Sequence, residues 1–112
     1  MKESEFQKIV LDWLRVQGYK VWKNYLGPMI IHGGRRVKNP NAGQPDIYGL
    51  KKDGSGKLFG IELKSHTGKL MDCQRKEIAD LEQHGVFVIA ARDMDHIIES
   101  MEIFENGKKR AQ

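Results

Sequence analysis

Apolar residues recur along the first part of the chain at the spacing of a helix. Phe6, Ile9, Val10, Trp13 and Leu14 fall to one side when residues are stepped at about 100° each. That pattern predicts an amphipathic helix over residues 3–17, with Gly18 as its stop. The period then changes: Lys20–Leu26, with Val21 and Trp22, favours extended structure. Residues 27–44 contain Gly33, Gly34, Pro40 and Gly43 and show no period, so they read as a long loop. A connection of that length in a small domain is more often functional than idle. Asp46–Lys51 and Lys57–Lys64 read as two strands around Lys52–Gly56, whose Asp-Gly and Gly residues supply hairpin turn chemistry. A second helix is expected from near Asp72, whose carboxylate can cap free backbone N–H groups, to just before Gly85. Val86–Ala91 reads as a short buried strand, and Met94, Ile97, Ile98, Met101 and Phe104 mark a final amphipathic helix. The order αβ–loop–ββαβα predicts an α/β fold, a mixed sheet flanked by helices, in one domain over residues 1–112 with a flexible tail over 106–112.

Five polar residues occupy positions where apolar ones are expected or lie beside them. Alternation along Lys57–Lys64 sends Phe59, Ile61 and Leu63 to one face and Leu58, Gly60, Glu62 and Lys64 to the other. Glu62 and Lys64 therefore project together from the end of a strand whose opposite face is strongly apolar. Asp46 follows Pro45, whose fixed φ stiffens the approach to the preceding strand. If the two strands pair through the turn, Asp46 and Lys64 reach the same open end. On the second helix Gln74 shares the stripe of Met71, Ile78 and Leu81. A buried amide there costs about 1–3 kcal/mol unless it finds partners. In the first helix Glu3 lies closer than Glu5 to the direction of Phe6 and Val10.

Charge adds a second region. The formal net charge is only +4, but its distribution is uneven. Lys20–Gln44 carries five cations (Lys20, Lys23, Arg35, Arg36 and Lys38) and no Asp or Glu, whereas Glu77–Glu105 carries eight acids against Arg92 alone. A basic stretch with Trp22, Tyr25 and His32 beside it is the footprint expected for an anionic polymer such as nucleic acid. Other classes recede. The longest apolar run, Val86–Ala91, is far short of the roughly 20 residues of a membrane span, and no continuous hydrophobic leader is expected at the N-terminus. A single cysteine, Cys73, forms no internal disulfide and is expected to be a buried structural residue in a reducing compartment. The four histidines lack paired helical spacing for zinc, and no Gly-rich phosphate loop indicates a nucleotide cofactor.

Carboxylates beside one lysine suit a hard divalent cation, because Mg²⁺ takes oxygen ligands and needs only one or two carboxylates plus a substrate phosphate. Such an ion acidifies water and stabilises phosphate charge. Neighbouring carboxylates favour the charged form of Lys64, so electrostatic assistance suits it better than general-base work. Singly, each element has a plainer reading: Glu-x-Lys as a solvated pair, Gly-Gln-Pro-Asp as a turn, Gln74 as a helix-start residue.

Jointly, Gly43-Gln44-Pro45-Asp46, fourteen residues, Ile61-Glu62-Leu63-Lys64 and then Gln74 on the next helix resemble the PD-(D/E)XK nuclease arrangement. More narrowly the chain resembles the virus-type replication-repair nuclease (VRR-NUC) family, small phage and bacterial type. The resemblance implies a Mg²⁺- or Mn²⁺-dependent endonuclease acting on DNA in the cytoplasm of a bacterial or phage-infected cell. It implies Asp46, Glu62 and the Leu63 main-chain carbonyl as metal ligands, Lys64 as the catalytic lysine, Gln74 as the residue orienting the second helix, and Glu3 as the acid of the first helix and a further ligand. Lys23, His32, Arg35, Arg36, Lys38, Lys69 and Arg75 would then contact DNA, positioning phosphates without reading bases. Small members resemble homodimeric Holliday-junction resolvases, and two symmetrical cuts in branched DNA call for two copies of one site. The competing expectations are a non-catalytic nucleic-acid-binding subunit on the same fold and a restriction-type endonuclease.

Overall fold

The structure, a computed structural model, describes residues 2–65 and 67–107. His66 and residues 108–112, most of the expected flexible tail, lie outside the described residues. Among the described residues nine elements follow one another: α1 (Glu3–Val16), β1 (Lys20–Lys23), β2 (Met29–Ile30), β3 (Arg36–Val37), β4 (Ile47–Leu50), β5 (Leu58–Leu63), α2 (Asp72–Gln83), β6 (Phe87–Ala91) and α3 (Met94–Asn106). Four strands form a mixed sheet in the order β1-β4-β5-β6. The β1–β4 and β4–β5 pairs are antiparallel, and β5–β6 is parallel with α2 as the crossover between them. No helix among the described residues is long and apolar enough to cross a membrane.

Register decides which side chains meet. Val21, Ile47, Phe59, Ile61, Leu63, Ile89 and Ala91 share one face of the sheet. They pack with Phe6, Val10, Leu11 and Leu14 of α1 and Ile97, Met101 and Phe104 of α3 into one core. The buried side of α1 runs through Leu11 and Leu14, leaving Ile9 exposed and Trp13 half-buried at the rim. Gly49 lies on this face because the Phe59 ring needs the space: an added Cβ would stand 2.3 Å from Phe59 Cζ. The opposite face of β5 presents Gly60 and Glu62 toward α2, whose one buried residue is Gln74.

Several expectations are corrected. The long loop contains the two-stranded antiparallel ribbon β2–β3, in which Met29 faces Val37 and Ile30 faces Arg36. Gly33 and Gly34 turn it with positive φ, which residues bearing a Cβ adopt only at a cost. Strands of two residues are too short to leave a period. Strand β1 stops at Lys23 rather than Leu26 because Pro45 lies alongside and has no N–H to give. Asn24 closes the ladder instead, its N–H donating to the Asp46 carbonyl at 2.7 Å and Nδ2 to the Pro45 carbonyl at 3.2 Å. Asp72 does not cap α2. Met71 is the N-cap residue, its N–H donates to Gln74 Oε1 at 2.9 Å, and Asp72 instead pairs with Arg75 at 3.0 Å. Met71 precedes the helix in extended conformation and is exposed rather than in the stripe. The inward turn of Gln74 rotates its neighbour Cys73 out, so Cys73 is exposed rather than a buried structural residue.

Pro45 is fully buried against β5, where Gly60 leaves room for its ring; an added Cβ would stand 2.9 Å from Pro45 Cγ. Gly60→Ala is therefore expected to push the Pro45–Asp46 segment off the sheet and to lower stability by about 1–3 kcal/mol, the usual cost of overpacking. A urea titration checks this, and an unchanged midpoint would contradict the packing.

Candidate active site

Asp46 and Glu62 approach the same end of the sheet, one from just ahead of β4 and the other from β5. Asp46 stands one residue before β4, and its Oδ2 accepts the Leu63 N–H at 2.8 Å, which locks its carboxylate to the end of β5. The next peptide turns the other way, Lys64 donating its N–H to the Ala91 carbonyl of β6 at 3.0 Å. Because that peptide is trans, the Leu63 carbonyl points away from β6, to the side where Asp46 lies. Glu62 is 2% exposed. Its Oε1 accepts Gln74 Nε2 at 2.9 Å and lies 3.4 Å from Lys64 Nζ. Its Oε2 is buried and has no hydrogen-bond partner among the described residues.

These surroundings change the proton affinity of both acids. Burial, then the charge of Asp46, raise the Glu62 pKa from 4.5 to about 7, outweighing the opposing pull of Lys64; Glu3 adds to the rise. Asp46 is raised as well, first by burial and further by Glu3, against the lowering effects of the Leu63 N–H, Lys64 and Lys23. A buried carboxylate oxygen without a donor is costly as an anion, and a cation is the partner that would relieve it.

The donor set fits a hard divalent ion to that extent. Asp46, Glu62 and the Leu63 main-chain carbonyl lie at one end of the β4–β5 pair and offer only oxygen, as Mg²⁺ and Mn²⁺ prefer. Among the described residues no three His, Cys, Asp or Glu side chains lie close enough to hold an ion unaided. Water and a substrate phosphate would have to complete the shell. Glu3 is exposed at the first turn of α1 and lines two depressions, one shared with Asp46 and the other with Lys64. One, about 360 Å³, is lined by Glu3, Ser4, Gln7, Lys23, Asn24, Tyr25, Leu26, Gly27 and Asp46. The other, about 300 Å³, is lined by Glu3, Phe6, Ile9, Lys64, Ser65, Arg92, Asp93 and Met94.

The cations fall in three places. Lys23 projects into the first depression beside Asp46. His32, Arg35, Arg36 and Lys38 are exposed on or beside the ribbon. Lys69 is exposed ahead of α2, while Arg75 is engaged with Asp72 and so less available to a ligand. Sequence reasoning missed Arg92, whose Nη1 donates to the Ser65 carbonyl at 2.9 Å and to the Gly68 carbonyl, fastening the turn that follows Lys64. Its only signal was being the single cation in the acidic half of the chain. Tyr48 was also missed: its hydroxyl donates to Gln44 Oε1 at 3.1 Å, bracing the loop before Pro45.

Residues 2–94 match the family model described as the VRR-NUC domain. No curated protein and no solved structure matches the chain.

With the Glu62 pKa raised on folding, the folded chain holds a proton between pH 4.5 and about 7 that the unfolded chain has released. The associated stability is complete below pH 4.5 and is lost as pH rises through 7. The metal-free protein should therefore show an unfolding free energy that falls between pH 5 and pH 8, and Glu62→Gln should flatten that fall. Urea titrations across the range check it; identical slopes in the two proteins would contradict the burial assigned to Glu62.

Proposed function

The chain belongs to the VRR-NUC family, and on that premise we propose that it is a Mg²⁺- or Mn²⁺-dependent endonuclease that hydrolyses DNA phosphodiester bonds, favours branched DNA and works as a homodimer. The observation that carries the reading is the unpartnered, buried Glu62 Oε2, held at the end of β5 beside Asp46 and Lys64. A nuclease of the PD-(D/E)XK type needs acid, acid and lysine at that rim, and they are contributed by a β4–β5 hairpin that is rigid in both register and packing.

Asp46, Glu62 and the Leu63 carbonyl would hold the ion. When bound, it would polarise the scissile phosphate and acidify the attacking water. The remaining work belongs to the chain. Lys64, 15% exposed and leaning on Glu62, keeps its ammonium at the mouth of the site, where it can meet the charge that builds on the phosphate oxygens during attack. Gln74 does not reach the mouth. It is a positioning residue, its amide nitrogen fixing Glu62 Oε1 and its amide oxygen closing the N-terminus of α2, so that the carboxylate and the helix cannot move independently. Glu3 adds negative charge beside the pair, which favours a cation at the site over an anion. Lys23 offers a phosphate contact in the Asp46 depression, and His32, Arg35, Arg36, Lys38 and Lys69 extend that contact away from the chemistry. One chain carries one such rim, and paired incisions across a branch require a two-fold partner.

The test is cleavage of four-way junction, flap and plain duplex DNA by wild type, Asp46→Ala and Lys64→Ala, with Mg²⁺ and with EDTA. Wild type should cut only with the metal and cut branched substrates faster. Each substitution should lower the rate by about 10²-fold or more, the usual cost of deleting a charge-stabilising group. Equal cutting by all three proteins would reveal a contaminating nuclease and refute the proposal. Salt-sensitive binding without any cutting would favour the non-catalytic reading.

A further inference from the structure

The ribbon β2–β3 contributes nothing to the chemistry, yet it springs from the wall of the Asp46 depression. Tyr25, Leu26 and Gly27 line that depression, and β2 begins two residues later. The base of the ribbon is fixed. Asn39 is 5% exposed, and its Nδ2 donates to the carbonyls of Tyr25 at 2.9 Å and Gly27 at 3.1 Å. Its Oδ1 accepts the Asn41 N–H at 2.9 Å, and the Tyr25 hydroxyl donates to the Pro28 carbonyl at 2.7 Å.

Beyond the base the two faces differ. Cross-strand partners share a face, so Met29 goes with Val37 and Ile30 with Arg36. Val37 is half-buried and Met29 is only marginally exposed, which makes theirs the inner face. Ile30 is 74% exposed beside Arg36, and alternation carried past β3 brings Lys38 to the same side. Arg35 is exposed at the turn. Arg35, Arg36 and Lys38 form no ion pair among the described residues, and no Asp or Glu occurs between Lys20 and Gln44.

A lone exposed isoleucine is ordinary; one set among unopposed cations on a braced, projecting ribbon has a particular fit. Uninterrupted duplex offers such a face its phosphates but keeps its base faces stacked out of reach. A branch point offers both, because stacking is broken there and an apolar wedge can cover the open base pair. We propose that β2–β3 is a wedge that reads interrupted base stacking in DNA, Ile30 covering the open base face while Arg35, Arg36 and Lys38 hold the phosphates on either side. The proposal deepens the reading of the chain as a DNA nuclease and rests on it. Ile30 is separated from Gly27 in the cavity wall by at most about 10 Å of extended chain. At about 3.4 Å per nucleotide along one strand, that places the wedge within roughly three nucleotides of the Gly27 wall of the depression that Asp46 also lines.

The experiment is metal-free binding in EDTA, by fluorescence anisotropy, of a four-way junction and of a duplex of the same sequence. The proteins are wild type, Ile30→Ser and the double variant Arg35→Gln/Arg36→Gln, and 2-aminopurine at the branch reports unstacking. Ile30→Ser should lose about tenfold in junction affinity and the 2-aminopurine signal while keeping duplex affinity, as expected for an apolar contact made only at the branch. The arginine variant should weaken both complexes and reduce the salt dependence by about two phosphate contacts. Retention of the junction preference by Ile30→Ser, or absence of that preference in wild type, would overturn the proposal. So would a change of oligomeric state in Ile30→Ser by sedimentation velocity, since Ile30 would then be a contact between copies. Failure of the nuclease reading shows separately, as absence of Mg²⁺-dependent cutting by wild type.

Discussion

The site depends on one carboxylate that the fold buries and only half satisfies. Glu62 is fixed through Oε1 by an amide and an ammonium, while Oε2 has no donor among the described residues. The cost of desolvating a carboxylate is severe, and here it is expressed as a pKa near 7 rather than as a disordered side chain. Everything around Glu62 is built to keep it there. The Phe59, Ile61 and Leu63 face of β5 is locked into the core, so the strand cannot rotate to release its polar face to water. Parallel pairing with β6 holds the other edge, and α2 closes over the top through Gln74.

The second carboxylate is placed by different means. Asp46 belongs to no strand, and three local features restrict it: Pro45 ahead of it, the absence of a side chain at Gly60 beneath that proline, and the Leu63 N–H that its Oδ2 accepts. Leu63 thereby serves Asp46 with its N–H while its carbonyl, in the following peptide, faces the same side. Backbone and side chains of two strands thus present oxygen toward one region, and the cations Lys23 and Lys64 border it. This is a compact way to assemble an acidic site in a small sheet, because the hairpin that supplies the acids also supplies the register.

Much of this was legible in the chain itself. Alternation in LFGIELK separated a core face from a polar face, and the structure places Glu62 on that polar face, buried beneath α2. An amide at Gln74 in a helical stripe signalled a polar partner, which is Glu62. The preference for Glu3 over Glu5 came from helical phase alone, and Glu3 is the acid whose charge acts on both Asp46 and Glu62. Other features left no trace at this level. A ribbon of two-residue strands has no period to read, although Gly33-Gly34 carried its turn chemistry. The cap on α2 was misplaced because Asp72 is the better capping residue by type, while a glutamine three residues beyond Met71 performs the task. Cys73 was misjudged because a cysteine is usually buried, whereas its place in α2 follows from the inward turn of Gln74 next to it. Arg92 could be recognised only once β6 and the turn after Lys64 were side by side.

The central claim, that Glu62 is a buried acid completed by a divalent cation, is tested most directly by the ¹³C resonance of its carboxyl carbon, followed through a pH titration with and without Mg²⁺. The account predicts a midpoint near pH 7 in EDTA that moves to lower pH when Mg²⁺ is added. A midpoint near 4.5 that ignores the metal would contradict it.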